Sequence, residues 1–274
     1  MEKILFLSPR LSDLATLTAS SEVGSLPATF VKNPEPTKVW RTTGCAAESL
    51  VIDFGAAAVV DTAAIVAHNA TAAGTVRLRL AATVPGLTAA PSVDSGVVSL
   101  WPSSGKHADP DWPHELSLAR AVNGMAYRYA RLDFADPANP AGYLEFGRIA
   151  AGRAWQPAMN IDLDPALGFV PLDVQEPNAY GQTFTDPRPW AQRQFDLSFS
   201  AANQDDVHDY AMELSRLRGQ AGDVIVCLDP SATTRFHRWS MQALFTGRAV
   251  FKAQPLWDGA DQTWGFSASL IEKL

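Results

Sequence analysis

The stretch LVIDFGAAAVVDTAAIVAHNATAAGTVRLRL, Leu50 to Leu80, decides the fold. Three apolar, β-rich segments, Leu50–Phe54, Val59–Ala67 and Thr75–Leu80, are separated by Gly55 and by a polar corner running from His68-Asn69 to Gly74. They are expected to be consecutive strands. In the last of them Val76, Leu78 and Leu80 alternate with Thr75, Arg77 and Arg79, so branched residues take one face and guanidinium groups the other. The middle segment has no such alternation. Both its faces should therefore be covered, which places it inside a sandwich and not at an edge.

Outward from this stretch, the chain of 274 residues is expected to divide into two domains, 1–152 and 153–274. Apolar residues make up 47%, enough for a proper core, and 19 prolines with 18 glycines point to many turns and short strands. Residues 1–30 read as a short strand and a loop. The segment 85–115 is loop-like and long enough to be an interaction surface. Strands are expected at Met125–Phe134 and Tyr143–Ala150.

The second half has its own pattern. Phe195, Leu197 and Phe199 alternate with polar residues over Arg193–Ser200, and a helix over 204–218 is expected between an Asn203 cap and Gly219. Its stripe is Val207, Tyr210, Ala211, Leu214 and Leu217. Strands at Asp223–Leu228, Arg235–Phe245, Val250–Trp257 and Thr263–Ile271 would complete an antiparallel set, with Trp264, Phe266, Ala268 and Leu270 on one face. The class expected is all-β: two β-sandwich domains, the second a sandwich or split barrel with one packed helix.

A formal net charge of -7 and the lack of any Lys/Arg run argue against a nucleic-acid partner. No apolar run of ~20 residues is present, so no membrane span is expected, and a soluble chain made in the cytosol is. Cys45 and Cys227 read as structural, reduced thiols, too few for a zinc or iron–sulfur site. Neither a metal nor a cofactor is expected.

Candidate chemistry is sparse. His107, Asp109, Asp111 and His114 bring metal-ligand types into one loop, yet polar loops collect such residues without binding anything. Asn160, Asp162 and Asp164 lack the glycine and glutamate of a calcium loop and read as turn chemistry. His68-Asn69 reads as a hydrogen-bonded corner in place of a general base. No nucleophile elbow, H-E-x-x-H pair or phosphate loop occurs, so no enzyme is expected. Trp101 and Trp112, with His107 and His114 nearby, form a candidate stacking platform for a glycan or partner. Arg77, Arg79 and Arg131 would line a carboxylate or sugar site if their strands are neighbours, against the plainer reading of solvated ion pairs.

The first half resembles a galactose-binding-like, discoidin-type jelly roll, on LVIDFG (50–55), VDTAAIVAHN (60–69), TVRLRL (75–80) and YRYARLDF (127–134). The His-Asn corner followed by T-V-R-L-R-L is similar to domains of minor tail proteins of long-tailed bacteriophages and gene transfer agents. GRIAAGRAWQPAMNID, the helix ending L-x-R-L-R-G and the V-I-V-C-L-D-P strand resemble the C-terminal halves of tail-tip and distal-tail-like proteins. The resemblance implies a non-catalytic structural virion protein of the tail, assembled in the host bacterial cytoplasm. It would be a homo-oligomer, ring or trimer, in contact with tube, hub or tape-measure proteins. The alternative is a carbohydrate-binding module that recognises host cell-surface glycans.

Overall fold

The computed structural model describes residues 2–102, 105, 115–162, 165–177, 179–188, 190–247, 249–254 and 263–274. In chain order its strands are Leu5–Leu7 (β1), Thr16–Ala19 (β2), Trp40–Arg41 (β3), Glu48–Val59 (β4), Thr62–His68 (β5), Thr75–Ala81 (β6), Val93–Asp94 (β7), Val98–Ser99 (β8), Leu116–Arg120 (β9) and Ala126–Ala135 (β10). Then come Glu145–Gly152 (β11), Ala154–Trp155 (β12), Ala166–Pro171 (β13), Val174–Pro177 (β14), Thr183–Asp186 (β15), Ala191–Ala202 (β16), Val224–Cys227 (β17), Ser240–Phe245 (β18), Val250–Gln254 (β19) and Thr263–Glu272 (β20). The chain is all-β in class, as expected.

Two antiparallel sheets form the first sandwich among the described residues: β2-β4-β10-β6-β7, with β8 also on β6, and β3-β11-β5-β9. Alternation explains how they close. Leu50 and Ile52, Val76, Leu78 and Leu80, and Ala130, Leu132 and Phe134 point inward from one sheet, to meet Trp40, Ala63, Ile65 and Phe146 from the other. The three strands of the opening stretch are present, but Gly55 does not separate them. It sits at φ 78° inside β4, near the place where the pairing of β10 with β4 slips between Tyr127 and Tyr129. A glycine in that conformation lets a strand bulge and run on, so the break falls later, at Val60-Asp61.

The second body is a sheet in the order β12-β1-β17-β18-β20-β16-β13, with β19 on β20. Phe195, Leu197, Phe199, Phe266, Ala268 and Leu270 face one way and are capped by the helical segment Asp206–Ala211 and Met212–Arg218. That segment fills the 204–218 span expected. The Asn203 side chain accepts the Asp206 N–H at 2.7 Å, and the chain turns out at Gly219, φ 49°. Its first part is a wider π-type turn, which seats Val207 and Ala211 in the core and lays Tyr210 flat on Trp155 with ring centres 6.0 Å apart.

Several expectations are corrected. Residues 1–30 are not one strand and a loop: they hold β1, a helical turn at Arg10–Leu14, β2 and a 3-10 turn at Ala28–Lys32. Within the described part of the 85–115 segment there is a turn of helix at Gly86–Ala89 and two short edge strands against β6. Phe236–Trp239, expected inside a strand, is a helical turn that precedes β18. The division at 152/153 is crossed at the start of the chain, because β1 pairs with β17 and β12 in the second sheet (Leu5 opposite Cys227, Phe6 opposite Trp155).

β5 accounts for how the two bodies meet. Ala63 and Ile65 face the first core, while Ala64 and Val66 face a third apolar cluster with Leu5, Leu7, Leu116, Ile225, Cys227 and Phe236. Both faces are covered, as the missing alternation implied. Beside this seam lies a partly buried charge cluster. Arg148 on β11, fully buried, holds Asp13 through Nη1–Oδ1 at 2.6 Å and Asp223 through Nε–Oδ2 at 2.9 Å, and donates to the Val31 carbonyl at 3.1 Å. Arg218 closes the square on Asp223 and Asp13. Gln242 Nε2 spans from Asp223 to the Pro34 carbonyl at 2.8 and 2.9 Å.

The irregular neighbour of Arg148 is Gly147. A Cβ there would stand 2.2 Å from the Pro36 carbonyl oxygen and 3.1 Å from the Ala67 Cβ, so only glycine fits. Arg148→Ala is expected to cost about 3–5 kcal/mol by removing a fully buried guanidinium and leaving the buried Asp223 to Arg218, read by urea unfolding. Gly147→Ala is expected to cost about 1–3 kcal/mol by the same measurement, because backbone must move to admit the methyl group.

Candidate functional site

β6 and β10 are hydrogen-bonded neighbours, which is the condition under which Arg77, Arg79 and Arg131 could share a site. Arg79 stands directly opposite Arg131, and Arg77 opposite Asp133. All four point away from the core, because Leu78, Leu80, Leu132 and Phe134 between them point into it. Asp133 divides its oxygens: Oδ2 accepts from Arg79 Nε at 2.8 Å and Oδ1 from Arg131 Nε at 2.7 Å. Arg77 turns to Asp94 on β7, with Nε–Oδ1 at 2.8 Å and a second contact from Nη2.

The row lines a cavity of about 280 Å³ together with Glu48, Thr75, Val97 and Ala135. Glu48 accepts from the hydroxyls of Ser20 and, at 2.6 Å, Ser21. The three guanidinium groups are thus held by two carboxylates, Asp94 and Asp133, while the third carboxylate, Glu48, is held by the two serines. Arg77, helped by the Gly96 N–H, holds the Asp94 carboxyl down to about 2 against the opposing effect of partial desolvation. At the far end of the row Tyr129 is half-buried, with the Arg128 guanidinium 5.0 Å from its ring centre and Arg128 clamped on Asp53 at 2.8 and 2.9 Å. Such a surface offers fixed donors and acceptors with an aromatic edge.

The expected stacking platform is not formed at Trp101. That ring is only 5% exposed; its Nε1 donates to the Thr71 carbonyl at 2.7 Å, and it packs edge-on to His68 at 4.7 Å. It walls a narrow cleft of about 160 Å³ against Pro230, Ser231 and Phe236. Apolar burial claims the ring before a ligand could. Trp112, His107 and His114 lie outside the described residues, as do Asp109, Asp111 and Asp164. Among the described residues no group of three or more His, Cys, Asp or Glu side chains could hold a metal ion.

The remaining candidates serve structure. Asn160 Oδ1 accepts the Ile4 N–H at 2.9 Å, and Asp162 accepts from the backbone and hydroxyl of Ser200 at 3.0 and 2.7 Å. His68 Nε2 meets Ser117 Oγ at 3.0 Å, while Asn69 bonds Tyr143 and Glu145 backbone at 3.1 and 2.8 Å. This is the corner expected.

What the sequence did not suggest is His237. It is buried in the seam, with Nδ1 2.7 Å from Glu115 Oε2 and Nε2 2.5 Å from the Gly105 carbonyl oxygen. No spacing joins 115 to 237, so only the packed fold reveals the pair.

No protein-family model matches the chain, and no curated protein matches it. Among solved structures, the chain is similar to the family 32 carbohydrate-binding module of C. perfringens NanJ in complex with galactose, at 13% identity, covering 55% of this chain and 99% of that one with a TM-score of 0.38. Another is chitosan-binding module 1 from a Paenibacillus chitosanase/glucanase, at 13% identity, 52% and 98% coverage and TM-score 0.36. A third is the family 32 module of AlyQ in complex with 4,5-unsaturated mannuronic acid, at 20% identity, 50% and 92% coverage and TM-score 0.35. The two-sheet sandwich itself stands on the strand pairing described above.

The His237 pair carries a pH signature. Burial works to lower its imidazole pKa, but the hydrogen bonds to Glu115 and to the Gly105 carbonyl outweigh it, and the net direction is upward. A raised folded-state pKa means stability that is full below the ordinary imidazole value and lost as pH rises through the higher one. The melting temperature is therefore expected to fall as pH climbs past about 6.5, and His237→Gln should flatten that slope.

Proposed function

We propose that the chain is a non-catalytic binding protein whose first sandwich recognises a carbohydrate on the outer face of β6 and β10. The observation that carries this reading is the pair Arg79 and Arg131, opposite one another and both held by Asp133 over a cavity of about 280 Å³. A sugar ring presents hydroxyls that both donate and accept. A row of alternating guanidinium and carboxylate groups, held in place before the ligand arrives, supplies the complement without an ordering penalty on the protein side. Equal numbers of the two charges favour a neutral, hydroxyl-rich ligand over a simple anion. Tyr129, one outward position beyond Arg131 on β10, supplies the apolar edge.

A second reading is supported by a different observation: β14 and β15 form a hairpin exposed at every position. In this reading the chain is a structural virion protein of a tail tip, assembling with itself and with tube, hub or tape-measure proteins in the virion tail. Glycan recognition and tail assembly use opposite parts of the chain, so one molecule can do both.

Titration against a panel of neutral and acidic glycans tests the first reading. Binding is expected for a neutral sugar. Arg79→Ala and Arg131→Ala should each weaken it by about tenfold or more, with binding flat between about pH 5 and 8 because Asp94 ionises near 2. A panel with no binder, or a binder indifferent to both substitutions, would refute it.

A further inference from the structure

The apolar face of the second sheet runs one strand beyond its own cover. On β13, Leu167 pairs with Phe195 and Phe169 with Arg193, so both share the face of the second core. Phe195 is buried, whereas Leu167 is 45% and Phe169 61% exposed. With Trp239, Arg235 and Arg238 they line a groove of about 360 Å³. Both arginines are exposed, and neither is in an ion pair among the described residues; Arg235 lies 5.5 Å from the Trp239 ring centre.

At Pro171 the chain leaves this groove for the β14–β15 hairpin. Val174 stands opposite Asp186 and Glu176 opposite Phe184, so one face of the hairpin shows two apolar and two acidic side chains. Phe184 is 64% exposed, and Glu176 makes no ion pair among the described residues. An isolated two-stranded hairpin is marginal in water. This one does not fold back onto the groove of its own chain, since both surfaces stay open.

We propose that the hairpin of one copy docks in the β13 groove of a second copy, with Phe184 against Leu167, Phe169 and Trp239 and with Glu176 and Asp186 at Arg235 and Arg238. The surfaces are complementary in kind: aromatic to aromatic at the centre, acid to guanidinium at the rim. Because the two patches differ, the contact is heterologous and repeats from copy to copy until it closes a ring or runs on as a filament. The inference rests on the assembly reading and names its contact.

Sedimentation velocity on the full chain, over concentration and salt, provides the test. Self-association that weakens with added salt is expected. The groove reversal Arg235→Glu/Arg238→Glu and the arm reversal Glu176→Arg/Asp186→Arg should each weaken it by about tenfold or more, and an equimolar mixture of the two variants should recover it. Recovery on mixing could not come from misfolded chains. A wild type that stays monomeric to about 100 µM overturns both this contact and the assembly reading. Association that ignores the reversals, or is lost and not recovered on mixing, overturns the contact and leaves the assembly reading standing.

Discussion

The charge square of Arg148, Arg218, Asp13 and Asp223, buried at Arg148 and Asp223, is the constraint on which the rest of the molecule depends. Its members come from the first helical turn, from β11, from the end of the long helical segment and from the residue before β17, so it can form only when both bodies are in place. Two positive and two negative groups leave no net charge, and Val31, Pro34 and Gln242 take up further hydrogen bonds. A cluster of this kind need add little to stability over an apolar replacement. What it does is penalise every relative placement of the two bodies that leaves a charge unmatched.

The apolar seam beside it works in the same direction. Ala64 and Val66 of β5 meet Ile225 and Cys227 of β17 as one core meets another, and Arg193 with Glu272 adds a second buried pair at the far side of the second sheet. The sandwich and the second sheet are therefore packed against one another, and each presents an outward surface. One is the charge-ordered face of β6 and β10, the other the uncovered end of the second sheet at β13.

Period-two alternation made much of this legible in the sequence. It marked β6, β16 and β20 correctly, and its absence in β5 announced a strand covered on both sides. The arginine row was visible as well, because Arg77 and Arg79 alternate with core residues; only their adjacency to Arg131 needed the fold. Trp101 misled because residue type says nothing of burial, and a ring within a proline- and serine-rich loop reads as a platform until the Thr71 carbonyl and His68 are seen to hold it. β13 to β15 went unmarked for the opposite reason. Their residues are exposed at every position but Val170, so no buried face imposes a period. His237 with Glu115, and Arg148 with Asp223, join positions far apart in the chain, where no spacing rule reaches.

β1 has its own consequence. Leu5, Phe6 and Leu7 are flanked on both sides by strands made much later, β12 and β17. An apolar segment with two open edges must wait, unpaired, until strands far downstream in the chain are present. The second sheet therefore cannot close strand by strand in chain order, because β1 has no sheet partner until β12 and β17 are present.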